Sequence, residues 1–369
     1  MPRDRASGPA AFEPALRRWY RHHRRPMPWR LTRDPYRIWV SEVMLQQTQV
    51  AAATPYYQRF LTRFPTLRAL ARSREADVLA TWAGLGYYRR ARHLHEAARL
   101  VVREHGGRVP RDPDAFARLP GVGRYTKGAV MSLAYDHALP VLDGNVARVL
   151  SRVRALPVSI RVPRGARALW EIAESIMPAR APGEWNQAVM ELGAVVCTPR
   201  SPRCTECPIR AHCRAFAEGR PEAYPVAAPR RATARVRRAI ALIERNGALL
   251  MARRSGALLD GLWEPPGVDL AGTSSARRTL EAELARLGVA ARCTPAGATL
   301  THRITHREIE VELWRAQLAG DSPRRAALRF VDPHAPRVAI TALARRAAAY
   351  RTSANLRVTA KSGAVKRTR

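Results

Sequence analysis

Lysine, cysteine and acidic residues are all scarce in this chain of 369 residues. Its lysines are Lys127, Lys361 and Lys366, and it has five cysteines. Five cysteines are too few for a disulfide-rich secreted domain, and the N-terminal segment lacks the apolar core of a signal peptide. No apolar run is long enough to span a membrane. We therefore expect a cytoplasmic protein that does not bind membranes.

The shortage of acidic residues leaves a large positive charge. Lysine and arginine number 64 against 30 aspartates and glutamates, which gives a net charge of +34. A GC-rich genome favours arginine over lysine, but it does not explain an excess of basic over acidic residues. No polybasic amphipathic segment or lipidation signal is present, so the charge indicates nucleic acid as the partner rather than a membrane.

The composition and the apolar periodicity of the sequence change along the chain, and this change predicts two domains. Residues 9–216 carry apolar positions at helical spacing, which predicts a mainly α domain. Residues 217–238 are rich in proline, alanine and arginine without periodicity, which predicts a linker. Residues 239–350 begin with a hairpin signal at Asn246-Gly247 and continue with an amphipathic helix and an alternating strand, which predicts a smaller α+β domain. Residues 351–369 are basic, and we expect a disordered tail.

Four of the five cysteines lie in one short segment, with the spacing Cys197-x6-Cys204-x2-Cys207-x5-Cys213. Two disulfides would be unusual in a cytoplasmic protein. A zinc site would favour two C-x2-C pairs, and this segment has one. The uneven spacing fits a loop wrapped around a [4Fe-4S] cluster better. We predict that these four cysteines are the ligands of such a cluster.

Two acidic residues lie in contexts that suit glycosidic bond cleavage. Glu42 lies among apolar residues of a helical segment and is either an exposed polar residue or, if it faces a closed pocket, a general acid with a raised pKa. Asp143 and Asn145 precede a helix, and either residue could simply cap it. A helix N-terminus is also a place where a carboxylate stays ionised. One neutral and one charged carboxyl group is the arrangement found in glycosidases.

The segment LPGVGRYTKGAV (119–130) predicts a turn that leads into a helix. Gly121 and Gly123 would let backbone N–H groups point together beside the helix N-terminus, where a DNA phosphate binds well. A plain turn between helices explains this pair of glycines equally well. The positive charge and the cysteine segment favour the phosphate interpretation, which involves no reading of base sequence.

Several segments together resemble the adenine DNA glycosylases of the helix-hairpin-helix superfamily, which also contains endonuclease III. They are SEVMLQQTQV, GLGYYRRARHLH, LPGVGRYTKGAV, LDGNVARVL, WNQAVMELGAVVC and the cysteine segment. The resemblance is close over about residues 12–216 and looser beyond them. It implies a mainly α helix-hairpin-helix glycosylase domain with a [4Fe-4S] cluster loop, followed by a smaller α+β MutT/Nudix-like domain. It also implies a monomer that removes adenine paired with 8-oxoguanine or guanine from double-stranded DNA in base excision repair.

The resemblance assigns roles in base removal to three of the candidate residues. Glu42 would protonate the flipped adenine at N7, Asp143 would stabilise the sugar cation, and Asn145 would support the same site. Flipping is needed because the glycosidic bond cannot be reached inside a stacked duplex.

Other residues match family positions that surround the flipped base. Gln47 and Tyr87 match residues that wedge into the base stack around the mispair. Trp29, Arg30 and Glu191 match positions that line the adenine pocket. Tyr87 and Trp29 could also be core aromatic residues.

Tyr125 stands where the related lyases carry a lysine that forms a Schiff base with the sugar. Lys127 is two positions further on and should point elsewhere on a helix. The sequence therefore predicts a monofunctional glycosylase. One alternative is an endonuclease III-like glycosylase/lyase acting on oxidised pyrimidines, against which Tyr125 and the second domain argue. Another is a non-catalytic DNA-binding protein, against which Glu42 and Asp143 argue.

The second domain carries remnants of a Nudix motif in residues 262–267 and 277–288. Glu281 and Glu283 are all that remains of the glutamates that would hold a divalent metal, so mispair recognition is favoured over nucleotide hydrolysis. The family reads 8-oxoguanine with a Phe-Ser-His loop, and this chain has Leu300-Thr301-His302 in its place. We predict that Thr301 and His302 contact the base opposite adenine.

Overall fold

The computed structural model describes residues 9–227, 232–256, 259–272, 274–304, 306–320 and 325–350. These residues form two compact units, one containing residues 9–73 and 89–227 and the other containing residues 74–88 and those from 232 onward. Within the described ranges, no helix combines the length and apolarity needed to cross a bilayer. The expected tail at 351–369 lies outside these ranges.

The first part of the chain is helical, as the apolar spacing predicts. Its helices are α1 (Pro9–His23), α2 (Pro35–Leu45), α3 (Val50–Arg63), α4 (Leu67–Arg72), α5 (Glu75–Trp82), α6 (Arg89–Glu104), α7 (Pro113–Ala117), α8 (Arg124–Tyr135), α9 (Gly144–Arg154), α10 (Pro163–Ser175), α11 (Pro182–Val195) and α12 (Arg214–Ala217). Short 3-10 turns cover Pro28–Arg30, Cys204–Glu206, Arg210–His212 and Pro221–Ala223. Helix α5 belongs to the second unit, and the other helices belong to the first.

Helix α9 shows how the core of the first unit positions a functional end. The Asp143 side chain caps its first turn, and its apolar face is buried in a cluster shared with α1 and α11. Helix α11 approaches closely because it presents Gly193, where a Cβ atom would lie 2.7 Å from the Asn145 Cβ. The N-terminus of α9 is therefore fixed by packing, and Asp143 and Asn145 are fixed with it.

The second unit contains the strands that the sequence predicts for the second domain, and its helices beyond α5 are α13 (Ala276–Arg286) and α14 (342–350). The strands are β1 (Ala234–Leu242), β2 (Glu244–Arg245), β3 (Ala248–Arg253), β4 (Trp263–Glu264), β5 (Gly267–Leu270), β6 (Ala291–Ile304), β7 (Arg307–Leu318) and β8 (Leu328–Val331). One sheet has the order β5-β1-β7-β6, with β1 and β7 parallel, and the other joins β2, β3 and β4 with β8 beside β3.

The sequence predictions of a hairpin at Asn246-Gly247 and of an amphipathic helix in this unit are confirmed. Asn246 and Gly247 have φ angles of 47° and 79°, so both are left-handed, as a tight two-residue hairpin requires. Leu280 and Leu284 of α13 are fully buried against the first sheet.

The expected linker at 217–238 is wrong at both of its ends. Strand β1 begins at Ala234 and pairs with β7 from Ala234 opposite Arg307 to Leu242 opposite Arg315. Its first half is rich in arginine and exposed or half-buried, so backbone pairing rather than side-chain burial defines the strand there. At the other end, Tyr224 is buried, and its carbonyl accepts a hydrogen bond from Arg152 Nε at 3.0 Å.

Candidate active site

A cavity of about 730 Å³ opens among α2, α8, α11 and the N-terminus of α9 in the first unit. It brings together ten of the residues proposed from the sequence: Trp29, Arg30, Glu42, Gln47, Gly121, Gly123, Tyr125, Asp143, Asn145 and Glu191. Residues from five separate stretches of the chain therefore meet at one place. Tyr87, Thr301 and His302 belong to the second unit and do not line this cavity.

Glu42 lies on α2 with a side chain that is almost fully buried. Burial, together with a smaller effect of the neighbouring charge of Asp143, raises the pKa of its carboxyl group from the usual 4.5 to about 7. The Tyr125 hydroxyl donates a hydrogen bond to Glu42 Oε2 at 2.8 Å, and this bond and Arg30 lower the pKa in part. Near neutral pH a large fraction of Glu42 is therefore protonated.

Asp143 lies in the cap of α9 and is held by more hydrogen bonds than Glu42. Its Oδ1 accepts from the Val146 N–H at 2.7 Å, and its Oδ2 accepts from Asn145 Nδ2 at 3.2 Å. Burial raises the pKa of Asp143, while these donors and the charge of Arg148 lower it. Asp143 thus both caps the helix and faces the cavity, so the two sequence interpretations are compatible.

Glu191 also lines the cavity, where two arginines hold it ionised. Arg25 donates to Glu191 Oε1 at 2.8 Å, and Arg30 donates to Oε2 at 2.7 Å. Burial by itself would raise the pKa of Glu191, but the hydrogen bonds from the two arginines lower it to about 2. Beside them, Trp29 is buried edge-to-face against Tyr57 at 5.2 Å. The sequence interpretation missed Arg25, which has no motif of its own in a chain rich in arginine.

The two residues expected to wedge into DNA both lie in left-handed turns. Gln47 has a φ of 59° and Tyr87 a φ of 50°, a conformation uncommon for residues with a side chain. Gln47 is exposed at the rim of the cavity, and Tyr87 is 45% exposed on its own segment. Unusual backbone at exposed residues is often found at functional sites.

The glycine turn leads directly into the helix that carries Tyr125. Gly121 has a φ of 77°, and a Cβ atom there would lie 2.7 Å from the His93 Cβ, so glycine is required on both counts. Gly123 is the residue before α8, and the first helical hydrogen bond runs from the Lys127 N–H to its carbonyl at 2.9 Å. Lys127 points away from the cavity, with Nζ 3.5 Å from Asp114 Oδ1.

Arg148 links this site to the cysteine segment, and the sequence interpretation did not single it out. Its Nη2 donates to Asn145 Oδ1 at 2.8 Å and to the Gly193 carbonyl at 2.7 Å, while its Nε donates to the Cys197 carbonyl at 2.7 Å. Helical spacing could have found it, because Arg148 follows Asn145 by three positions on α9.

The four cysteines form no disulfide and are all partly buried around two short 3-10 turns. Burial raises the pKa of Cys207 to about 12, with its neighbouring thiols adding to the shift, so the thiolate form needs a compensating cation. Cysteine thiolates are the ligands of iron–sulfur clusters, and the four thiols lie near enough to one another for Cys197, Cys204 and Cys213 to affect the pKa of Cys207. The donor set therefore fits an iron–sulfur cluster held by Cys197, Cys204, Cys207 and Cys213.

Thr301 and His302 do not lie in a loop, which corrects the expectation from the sequence. They belong to strand β6, opposite Glu310 and Ile309 of β7. Thr301 is exposed and His302 is buried, as alternation along a strand requires. The pairing with β7 extends the strand to Ile304, beyond the region that its composition marks.

Comparison with known proteins agrees with this architecture in each part of the chain. Residues 40–175 match the HhH-GPD superfamily of base excision DNA repair proteins, residues 197–213 the iron–sulfur binding domain of endonuclease III, and residues 238–349 the NUDIX domain. A thermostable thymine-DNA glycosylase of known structure is 31% identical, with a TM-score of 0.52 over 57% of this chain and 97% of its own. These features define a helix-hairpin-helix base excision DNA glycosylase that carries a [4Fe-4S] cluster and a Nudix-like domain.

Relatives matched along most of the chain give the family. The adenine DNA glycosylase of Rattus norvegicus is 38% identical over 85% of this chain and 72% of its own length. The adenine DNA glycosylase of Homo sapiens is 37% identical over 85% of this chain and 68% of its own. The chain belongs to the adenine DNA glycosylase family.

Proposed function

We propose that this enzyme removes adenine from double-stranded DNA by hydrolysing its glycosidic bond where adenine lies opposite 8-oxoguanine or guanine. The observation that carries the proposal is the pair of carboxyl groups in one cavity, Glu42 with a pKa of about 7 and Asp143 at a helix N-terminus. This pair can supply both a proton and a negative charge at neutral pH, which glycosidic bond cleavage requires.

In the proposed reaction the adenine first leaves the stack and enters the cavity. Glu42 gives its proton to N7 of the base, and because Glu42 Oε2 accepts from Tyr125, the other oxygen carries that proton. The glycosidic electron pair then leaves with the neutral base, and the Asp143 carboxylate stabilises the sugar cation. A water molecule adds at the sugar carbon and releases a proton, which leaves an abasic site.

Three further residues that line the cavity would hold the base during this step. Trp29 offers a flat apolar face, and the ion pair between Arg30 and Glu191 offers charged hydrogen-bonding groups at fixed positions. Arg30 is held in place both by Glu191 and by the Arg25 carbonyl, to which its Nη1 donates at 2.9 Å. Such preorganised polar groups favour one bound orientation of the base.

The DNA itself would be held by backbone contacts and opened by inserted side chains. The Gly121–Gly123 turn lies at the N-terminus of α8, which suits a phosphate. Gln47 and Tyr87 are exposed in left-handed turns, which supports their role as wedges. The chain's net charge of +34 adds a salt-dependent attraction to duplex DNA.

We further propose that the enzyme does not cut the DNA strand. A lyase needs an unprotonated amine beside the sugar, and among the described residues the cavity is lined by no lysine. Lys127 pairs with Asp114 outside it, and Lys361 and Lys366 lie outside the described ranges.

The Nudix-like domain is proposed to read the base opposite adenine. Its remaining glutamates are engaged within the protein, since Glu281 accepts from the Cys293 N–H at 2.9 Å and Glu283 pairs with Arg286 at 2.7 Å. Thr301 is exposed on β6 and is the better placed of the two candidate contacts. Thr301→Ala should lower the preference for 8-oxoguanine over guanine, and an unchanged preference would contradict this role.

A panel of duplexes that differ in the base opposite adenine tests the proposal as a whole. Adenine should be lost opposite 8-oxoguanine and guanine but retained opposite thymine, with strand breaks appearing after alkali. Asp143→Asn should bind the same duplexes without excising adenine. Excision of oxidised pyrimidines in place of adenine would contradict the proposal.

We also propose that the enzyme acts in the cytoplasm as a monomer. Size-exclusion chromatography tests the monomeric state.

A further inference from the structure

Arg90, in the first turn of α6, donates hydrogen bonds to several backbone carbonyls at the C-terminal end of α2. Its Nη1 donates to the carbonyl of Val43 at 2.7 Å, to that of Met44 at 2.9 Å and to that of Gln46, and its Nη2 donates to Thr48 Oγ1 at 3.2 Å. The last carbonyls of a helix lack partners within it, and a cation there also complements the helix dipole. One guanidinium therefore closes the C-terminus of α2.

The groups that Arg90 holds flank Gln47 on both sides. Gln47 has a left-handed φ of 59°, which persists in a residue with a side chain only where its surroundings enforce it. The same turn is tied further by Gln46 Nε2, which donates to Thr126 Oγ1 at 3.2 Å, and by the Thr48 N–H, which donates to the Leu45 carbonyl. Gln47 is the exposed member of this tied turn.

We infer that Arg90 is a positioning residue that holds the turn of residues 46–48, so that Gln47 enters the base stack as the target base leaves it. The inference rests on the proposed function, in which Gln47 wedges beside the flipped adenine. Arg90 does not line the cavity with Glu42 and Asp143, so it acts on base flipping and not on bond cleavage. The planar fork of donors is essential, because a lysine would supply the charge alone.

The test compares wild type with Arg90→Lys in two measurements. Single-turnover excision from an adenine:8-oxoguanine duplex should fall by roughly 10- to 100-fold, the loss that a small misplacement of a working group produces. The pH midpoint of that reaction should stay unchanged, because the side chains that act on the pKa of Glu42, those of Tyr125, Asp143 and Arg30, make no contact with Arg90 that the variant removes. In a Glu42→Gln background, a 2-aminopurine beside the target adenine should lose its stopped-flow fluorescence rise when Arg90→Lys is added.

Arg17→Lys is the matched control, because Arg17 is another buried arginine that donates to two backbone carbonyls, those of Arg180 and Ala181. It should lower thermal stability without changing the fluorescence rise. If Arg90→Lys does not fold, Thr48→Val removes the Nη2 contact together with the long hydrogen bond from Thr48 Oγ1 to the Gln46 carbonyl at 3.4 Å, and it should reduce the rise to a smaller extent.

Three outcomes would overturn the inference. They are a full fluorescence rise in Arg90→Lys, a shifted pH midpoint, or an equal loss of the rise in Arg17→Lys. If the wild type excises adenine and the Arg90→Lys variant does so at an equal rate, this inference alone is refuted. If the wild type does not excise adenine, the proposed function is refuted, and this inference is refuted with it.

Discussion

Glu42→Gln should make the protein more stable at alkaline pH while abolishing its activity. The pKa of Glu42 is raised by burial from the usual 4.5 to about 7, so the folded protein binds this proton more tightly than the unfolded chain. The resulting stability is fully present below about pH 4.5 and is lost as pH rises through 7. At pH 8 the ionised carboxylate costs about 3 kcal/mol, since each pKa unit corresponds to about 1.4 kcal/mol.

Glutamine removes this cost because it carries no charge, and its carbonyl can still accept the hydrogen bond of Tyr125. The free energy of unfolding of Glu42→Gln should therefore exceed that of wild type by up to about 3 kcal/mol at pH 8, and the difference should vanish near pH 4.5. Urea unfolding at the two pH values measures it. Excision should fall by about 10²- to 10⁴-fold, because an amide cannot act as a general acid. Glu171→Gln, at an exposed position on α10, is the control and should change neither quantity.

A Glu42→Gln protein that is no more stable than wild type at pH 8 would refute the desolvation argument. It would mean that the carboxyl group is ionised at little cost, so that no protonated acid stands in the cavity at neutral pH. Retention of near wild-type single-turnover excision would refute the catalytic role separately. The two measurements therefore test the environment of Glu42 and its function independently.

Three further predictions concern the surroundings of the site. Tyr125→Phe removes a hydrogen bond that lowers the pKa of Glu42, so the pH midpoint of excision should rise, and a lower midpoint would contradict this. Wild type should form no strong borohydride-trapped adduct with DNA, and a strong adduct that disappears in Lys127→Ala would indicate a lyase. Arg152, which is buried and donates to Cys197 Sγ at 3.3 Å, should be needed to retain the cluster. Arg152→Gln should lower the iron content per chain and the visible absorbance, and full iron content would count against that role.

The parts of the fold that the sequence predicts are those defined by local pattern. Helix α9 is recognisable because its cap, Asp143, and its apolar positions lie within eleven residues of one another. The hairpin at Asn246-Gly247 is recognisable because its turn needs two left-handed residues in succession. The cysteine segment is recognisable because its ligands are close in the chain.

The parts that the sequence misses depend on partners far along the chain. Strand β1 is hidden in an arginine-rich stretch because its partner β7 lies some seventy residues away. Arg25 and Arg90 are missed for a related reason. In a chain with 64 lysines and arginines, no local signal separates the few that hold Glu191 or the end of α2 from those that face solvent.

The proposed division of labour between the carboxyl groups of Glu42 and Asp143 also depends on such contacts. The sequence suggests that Asp143 stays charged because it lies at a helix N-terminus, yet burial raises the pKa of Asp143 as it raises that of Glu42. What separates them is the number of donors, since Asp143 accepts from Val146 and Asn145, whereas Glu42 accepts from Tyr125. The charge of Asp143 also raises the pKa of Glu42, so the proton resides on the carboxyl group with fewer donors. Glu42 therefore holds the proton, and Asp143 holds the charge.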